Sequence, residues 1–205
     1  YSTLASWIIA PFFSMEILFR KRWSFDLKGE KKIEMLPLSE MSNEFNELWI
    51  KLQEKSPDRL FSRRDREAIT WQFSNQSANT RNPTLLTARR KGNLVGYMIL
   101  TREDSLKFEL RRLMVTDLIV LDDDPEMIRA LMKEAFIFAK QKKLAMLQLV
   151  GFPSAVRKAL QPLHPLSHST PYTSFWYYAV NPSLKDELQS ESTWYASTFD
   201  GDSSL

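Results

Sequence analysis

The run Leu113-Met-Val-Thr-Asp-Leu-Ile-Val-Leu121 is followed by Asp122-Asp-Asp-Pro125, by a helical pattern reaching about Gln141, and by Leu144-Ala-Met-Leu-Gln-Leu149. Strand, acidic turn, helix and strand in that order make a parallel crossover unit. The first strand is apolar on both faces except at Asp117, as expected of a central strand covered on both sides. Asp124 stands where a helix cap belongs, Pro125 at the first helical position and Glu126 in the first turn. Within the helix, Met127, Ile128, Leu131, Met132, Ala135, Phe136, Phe138 and Ala139 cover more than one stripe, so it is substantially buried.

The rest of the chain arranges itself around this unit. Lys32-Ile-Glu-Met-Leu36 alternates as a first strand, closed by Pro37. Ser42 caps a helix whose apolar face is Phe45, Leu48, Trp49 and Leu52. Ser62 opens a second helix with Asp65 three residues on, and Ile69 and Phe73 share its inner face. Residues 75–83 read as an exposed loop. Leu85–Arg89 and Leu94–Leu100 are strands joined by a tight hairpin, with Gly92 and Asn93 supplying the positive backbone angles. Pro153 to Leu160 is a short helix, Ser174 to Val180 a strand, and Trp194 to Thr198 a last strand.

Composition bounds the function. The chain has 205 residues, 43% hydrophobic and 12% aromatic, enough for one good-sized core. A net charge of +3 is too small a surplus to imply nucleic acid. Without cysteine there are no disulfides, thiolate metal sites or cysteine nucleophiles, which fits a reducing, cytoplasmic setting. The apolar stretch Tyr1–Phe19 is interrupted by Ser2, Ser6, Pro11, Ser14 and Glu16, so it is not a transmembrane segment. Residues 1–24 are expected to form a helix docked on the body or on a preceding unit. Residues 25–31 are expected as a linker, 32–199 as the main domain and 200–205 as a frayed tail.

The element order β-α-α-β-β-β-α-β-α-β-β resembles the GNAT fold of acyl-CoA-dependent N-acyltransferases. Ala88-Arg-Arg-Lys-Gly-Asn-Leu-Val-Gly-Tyr-Met-Ile-Leu100 resembles the family's second and third strands. Arg129-Ala-Leu-Met-Lys-Glu-Ala135 with Phe138-Ala-Lys140 resembles its cofactor-binding helix. Arg64-Asp65 and Ile69-Thr-Trp71-Gln-Phe73 are similar to a helix of proteins carrying two GNAT-type units. The resemblance implies an α/β (α+β) architecture: a mixed, largely antiparallel sheet, helices on both faces and a β-α-β crossover after the fourth strand. It implies acetyl-CoA or another acyl-CoA as donor, held along Val120, Leu121, Met127, Ile128 and Arg129. A small-molecule or protein amine would be the acceptor, with Asp117, or a water held by it, as base and Tyr172 as the acid for the leaving thiolate. The alternative is a GNAT-like domain without catalysis, an interaction half paired with a preceding GNAT-like unit or a homodimer partner.

In the family, an Arg/Gln-x-x-Gly-x-Gly/Ala turn holds pyrophosphate on backbone N–H groups at a helix N-terminus. The corresponding positions here are Asp123, Glu126 and Ile128, and all three depart from that pattern. Asp122, Asp123, Asp124 and Glu126 put negative charge where an anion would sit. Two like charges ~5 Å apart at an effective dielectric near 20 repel by about 3 kcal/mol.

Other constellations read as structural. Asp117 is expected to bond to neighbouring backbone or to an arginine such as Arg111 or Arg112. The Arg63, Arg64, Arg66 and Arg89–Lys91 clusters read as solvated faces, phosphate or RNA contact being the functional alternative. Pro165 spoils a shared helical face for His164 and His168, so no metal site is expected.

Overall fold

A computed structural model of the chain describes residues 31–74, 83–105, 108–167 and 179–200. The expected N-terminal helix over 1–24, nearly all of the 25–31 linker, the loop over 75–82 and the strand from Ser174 lie outside the described residues. So do Tyr172, His168 and residues 201–205.

In chain order the elements are β1 (Lys31–Pro37), α1 (Glu44–Lys55), β2 (Leu60–Phe61), α2 (Arg66–Ser74), β3 (Thr84–Arg90), β4 (Asn93–Arg102), β5 (Arg112–Val120), α3 (Pro125–Gln141), β6 (Met146–Leu149), α4 (Ser154–Leu160), α5 (Lys185–Gln189) and β7 (Trp194–Tyr195). The main sheet runs β1-β3-β4-β5-β6. Only β5 and β6 are parallel, joined by α3 as the crossover; the other pairs are antiparallel. This is the mixed, largely antiparallel sheet expected from the element order. β2, which the hydrophobic pattern does not reveal, pairs in parallel with β7, away from the main sheet.

Alternation along the strands separates two cores. Leu86, Met98, Leu100, Val115 and Leu118 face α3 and α4, packing with Met127, Leu131 and Phe152. Leu85, Tyr97, Ile99 and Ile119 face α1 and α2, packing with Phe45, Leu48 and Ile69. Helices thus cover both faces. Each fully buried side chain of this size contributes about 1.5–3 kcal/mol.

Several local expectations change in detail. At the β3–β4 hairpin it is Lys91 (φ 50°) and Gly92 (φ 80°) that take positive angles, with Asn93 already in the strand. Two such residues between the strands match the twist of an antiparallel ribbon. Helix α2 begins at Arg66, and Asp65 rather than Ser62 caps it, accepting a bond from the Ala68 N–H at 2.8 Å.

Two irregularities of β5 fix where its polar groups lie. Opposite Ile99 stands Asp117, but opposite Leu100 stands Val115, so Thr116 is the extra residue of a β-bulge. β6 accompanies β5 only over Arg112–Val115, and β5 runs on to Val120 paired with β4 on its other side. Close packing in β4 keeps this end rigid: a Cβ on Gly96 would lie 2.6 Å from the Ile119 carbonyl oxygen and 2.9 Å from Val120 Cγ2. The Gly96→Ala variant is therefore expected to lose about 1–3 kcal/mol of stability, measured by urea unfolding, whereas Gly92→Asn, at a turn position with open space around it, is expected to cost less.

Candidate functional site

The site is organised by a buried cation. Arg64 lies in the loop before α2 and is 1% exposed. Its Nε donates to both oxygens of Asp117, at 3.1 and 3.3 Å, and its Nη2 donates to Asp200 Oδ2 at 2.5 Å. Its Nη1 donates to the Ser62 carbonyl at 3.0 Å and the Ser62 hydroxyl at 2.8 Å. Asp117, itself fully buried, also accepts from the Tyr97 hydroxyl at 2.8 Å and the Ser197 hydroxyl at 2.9 Å. Burial alone would lower the Arg64 pKa; the carboxylates of Asp117 and then Asp200 outweigh it and raise it. Burial, reinforced by the Asp117 charge, holds Tyr97 and Tyr195 well above the ordinary phenol value.

This pairing replaces the expected one. Asp117 is bound by Arg64, not by Arg111 or Arg112; Arg112 instead donates to the Glu103 carbonyl and to Gln148. Arg64 does not belong to a solvated cluster, and Asp200 is not a frayed end. A charged residue in an otherwise apolar strand signals a buried partner, but nothing in the sequence selects Arg64 from its run of three.

Ser197, Thr198 and Tyr195 were not singled out by sequence either. Thr198 Oγ1 donates to the Thr116 carbonyl at 2.9 Å, and the Tyr195 hydroxyl donates to the Leu118 carbonyl. Tyr195 stacks on Phe61 with ring centroids 5.4 Å apart, and the Arg59 guanidinium lies 4.8 Å above the Tyr195 ring.

At the start of α3, Asp124 caps the helix as expected: its Oδ1 accepts from the N–H of Glu126 at 2.9 Å and of Met127 at 3.4 Å. Its other oxygen binds Arg90. Those bonds outweigh burial and lower its pKa. Asp122 pairs with Lys55 at 2.5 Å and Asp123 with Arg59 at 2.9 Å. The turn is therefore not the bare negative surface expected from its composition, because three cations from α1, the loop after it and the β3–β4 hairpin neutralise it.

The other expected cofactor residues are mostly core. Val120, Met127 and Ile128 are buried in the α3/α4 layer, and Leu121 packs against the α1/α2 layer. Arg129 donates to the Ala159 carbonyl at 3.3 Å. At the start of α3 the Asp124 carboxylate already holds the N–H groups of Glu126 and Met127, and Lys55, Arg59 and Arg90 each stand in an ion pair with one of the three aspartates.

Beside the turn lies an open cleft of about 510 Å³. It opens near the carboxyl ends of the parallel strands, where α/β sheets bind ligands. Its walls include Lys55, Asp58, Arg59, Asp123, Glu187 and Glu191, four carboxylates against two cations. Among the described residues, no three His, Asp or Glu side chains are placed to hold a metal, and no helix is long and apolar enough to cross a membrane.

No family model matches the sequence, and no curated protein matches it. Solved structures do. An aminoglycoside acetyltransferase from an uncultured soil metagenomic sample, in complex with sisomicin, is 17% identical over 73% of this chain and 96% of that one, with a TM-score of 0.51. A predicted acetyltransferase from Clostridium acetobutylicum, with acetyl-CoA, is 11% identical over 71% and 95%, at 0.50. An acetyltransferase of Trypanosoma brucei is 11% identical over 72% and 100%, at 0.50. The fold of this chain is the GNAT fold.

Two outcomes test the site's energetics. Asp117→Ala strips a buried cation of its nearest partner and is expected to cost about 3–5 kcal/mol, read from denaturant midpoints. Asp124→Ala is expected to cost about 1 kcal/mol at neutral pH. The folded pKa of Asp124 is depressed, so its contribution is present above the unfolded value near 3.8 and is lost as pH falls through the folded one. The gap between wild type and Asp124→Ala should therefore narrow below about pH 4; an unchanged gap at pH 2 would contradict the assignment.

Proposed function

We propose that this chain is a GNAT-like N-acyltransferase domain whose acceptor is a cationic amine bound in the Asp58–Glu187 cleft. The observation that carries this is the cleft itself: about 510 Å³, close to the carboxyl ends of β5 and β6, with carboxylates in excess. Carboxylates draw in an ammonium group and orient it. Asp58 and Glu187 are exposed and free to meet a ligand, whereas Asp123 and Glu191 are engaged with Arg59 and Arg157. A polycationic antibiotic bound to one structural neighbour is consistent with an acceptor of this charge.

Transfer of the acyl group from acyl-CoA is the reaction the fold implies, and a neighbour is described with acetyl-CoA. No step is assigned through the donor, because the Asp124 carboxylate holds the first N–H groups of α3. Asp117, fully buried and held by three donor groups, the Arg64 Nε and the Tyr97 and Ser197 hydroxyls, acts in this reading as a positioning residue that fixes β5, not as the base. A cytoplasmic setting belongs to the same reading.

A second reading is favoured by Asp124. Because its carboxylate fills the N-terminus of α3, the domain serves without catalysis as the interaction half of a larger assembly. A preceding GNAT-like unit or a second copy would then supply the donor site.

Calorimetric titration with acetyl-CoA separates the two. Heat with a Kd at or below the millimolar range supports acyl transfer; no heat at millimolar ligand sinks it for this chain alone and leaves the interaction role. An Asp123→Lys variant adds a cation beside Arg59 and is expected to strengthen acetyl-CoA binding, by roughly tenfold for about 1.4 kcal/mol.

A further inference from the structure

Where α1 gives way to β2 there is a second hollow, of about 170 Å³, walled by Trp49, Gln53, Pro57, Arg59, Leu60 and Phe61. Trp49 and Gln53 are four residues apart on α1 and so lie on one stripe of the helix. The loop after α1 brings β2 against that stripe, and the rings of Trp49 and Phe61 meet edge to face with centroids 5.9 Å apart. Both rings pack against the α1/α2 core but are only partly buried, and Leu60 beside them is 42% exposed. The hollow adjoins the acidic cleft, because Ser56, Pro57 and Arg59 wall both.

The two spaces differ in charge. Asp58 and Glu187 border the cleft, whereas no carboxylate among the described residues walls the recess. Arg59 stands between them. Its Nη1 donates to Asp123 at 2.9 Å, and its guanidinium lies 4.8 Å from the Tyr195 ring centroid and 5.7 Å from that of Phe61. Its Nε is buried with no hydrogen-bond partner among the described residues. A second ammonium group in the recess would be repelled by Arg59 and would find no counter-charge. An aromatic ring meets the opposite conditions. Its face attracts a guanidinium and accepts weakly from an N–H, and its edge and face both suit Trp49 and Phe61. Apolar cavities of about 150 Å³ hold a benzene-sized ring, so the recess has room for one.

We propose that the recess between Trp49 and Phe61 is a specificity pocket for an aromatic ring carried by the acceptor amine. The ammonium group lies at Asp58 and Glu187, the ring enters beside Arg59, and the acceptor is an arylalkylamine rather than a polyamine. This rests on the reading of the cleft as the site of a cationic amine, and it adds the part of the acceptor that the carboxylates do not select. Burial of the ring supplies discrimination that charge alone cannot, since every alkylamine carries the same ammonium group.

The test is calorimetric titration of the full chain at neutral pH with 2-phenylethylamine, 2-cyclohexylethylamine and n-butylamine. Wild type is expected to bind 2-phenylethylamine at least tenfold more tightly than n-butylamine and at least threefold more tightly than 2-cyclohexylethylamine. In Gln53→Trp, an exposed helix position where a larger side chain fills the recess, the phenylethyl-to-butyl affinity ratio is expected to fall below three. In Glu187→Gln all three amines are expected to weaken while that ratio stays above ten. Equal affinity for the three amines in wild type overturns the recess and leaves the cleft as an amine site. Equal affinity for the phenyl and cyclohexyl compounds overturns the aromatic assignment. A ratio unmoved by Gln53→Trp, with the variant's thermal unfolding as in wild type, places the ring elsewhere and overturns the pocket. No binding of any of the three amines overturns the cleft reading and this inference with it.

Discussion

A guanidinium removed from water carries a desolvation cost that one carboxylate repays only with good geometry and with its remaining hydrogens satisfied. Arg64 meets that requirement with two carboxylates and Ser62, and each acceptor comes from a different part of the chain. The loop before α2, the middle of β5 and the end of the described chain are thereby fixed to one point. Tyr97 and Ser197 complete the acceptor side of Asp117, so both charges are hydrogen-bonded. Such a network gives a little-structured C-terminal segment a single place to go, which apolar contact alone, being non-directional, would not.

How much of this was legible in the sequence depends on range. The β3–β4 hairpin, the crossover through α3 and the Asp124 cap are written in residues a few positions apart, where backbone sterics and capping act locally. The two-sided burial of β5 was legible because its side chains alternate without a polar face. The Arg64–Asp117 pair spans 53 positions and Arg64–Asp200 spans 136. No local pattern distinguishes Arg64 from Arg63 or Arg66, since only the packed fold decides which of three neighbouring arginines points inward. β2 and β7 are equally hidden, being two residues each and paired across most of the chain.

The acidic turn shows the same limit in electrostatic form. Counted along the chain, Asp122, Asp123 and Asp124 are three uncompensated charges. In space each meets a cation: Lys55 after a separation of 67 residues, Arg59 after 64 and Arg90 after 34. Coulomb repulsion of an incoming phosphate is therefore weaker than composition implies. The N–H groups of Glu126 and Met127 at the start of the helix are already bonded to the Asp124 carboxylate. The turn acts as its own anion.

The bulge at Thr116 explains why these features meet at one end of β5. In a regular strand Asp117 would share a face with Leu113 and Val115, toward the apolar layer of α3 and α4. The extra residue resets the alternation, so that Leu118 and Val120 take the apolar face with Leu113 and Val115. Asp117 comes to stand opposite Ile99, on the side of α1 and α2 where Arg64 arrives. The same irregularity falls where pairing with β6 ends, leaving the Thr116 and Leu118 carbonyls for Thr198 and Tyr195. One inserted residue thus turns a carboxylate away from an apolar core where it would be unpaired, supplies the partner for the buried arginine, and marks the edge along which the C-terminal segment is held.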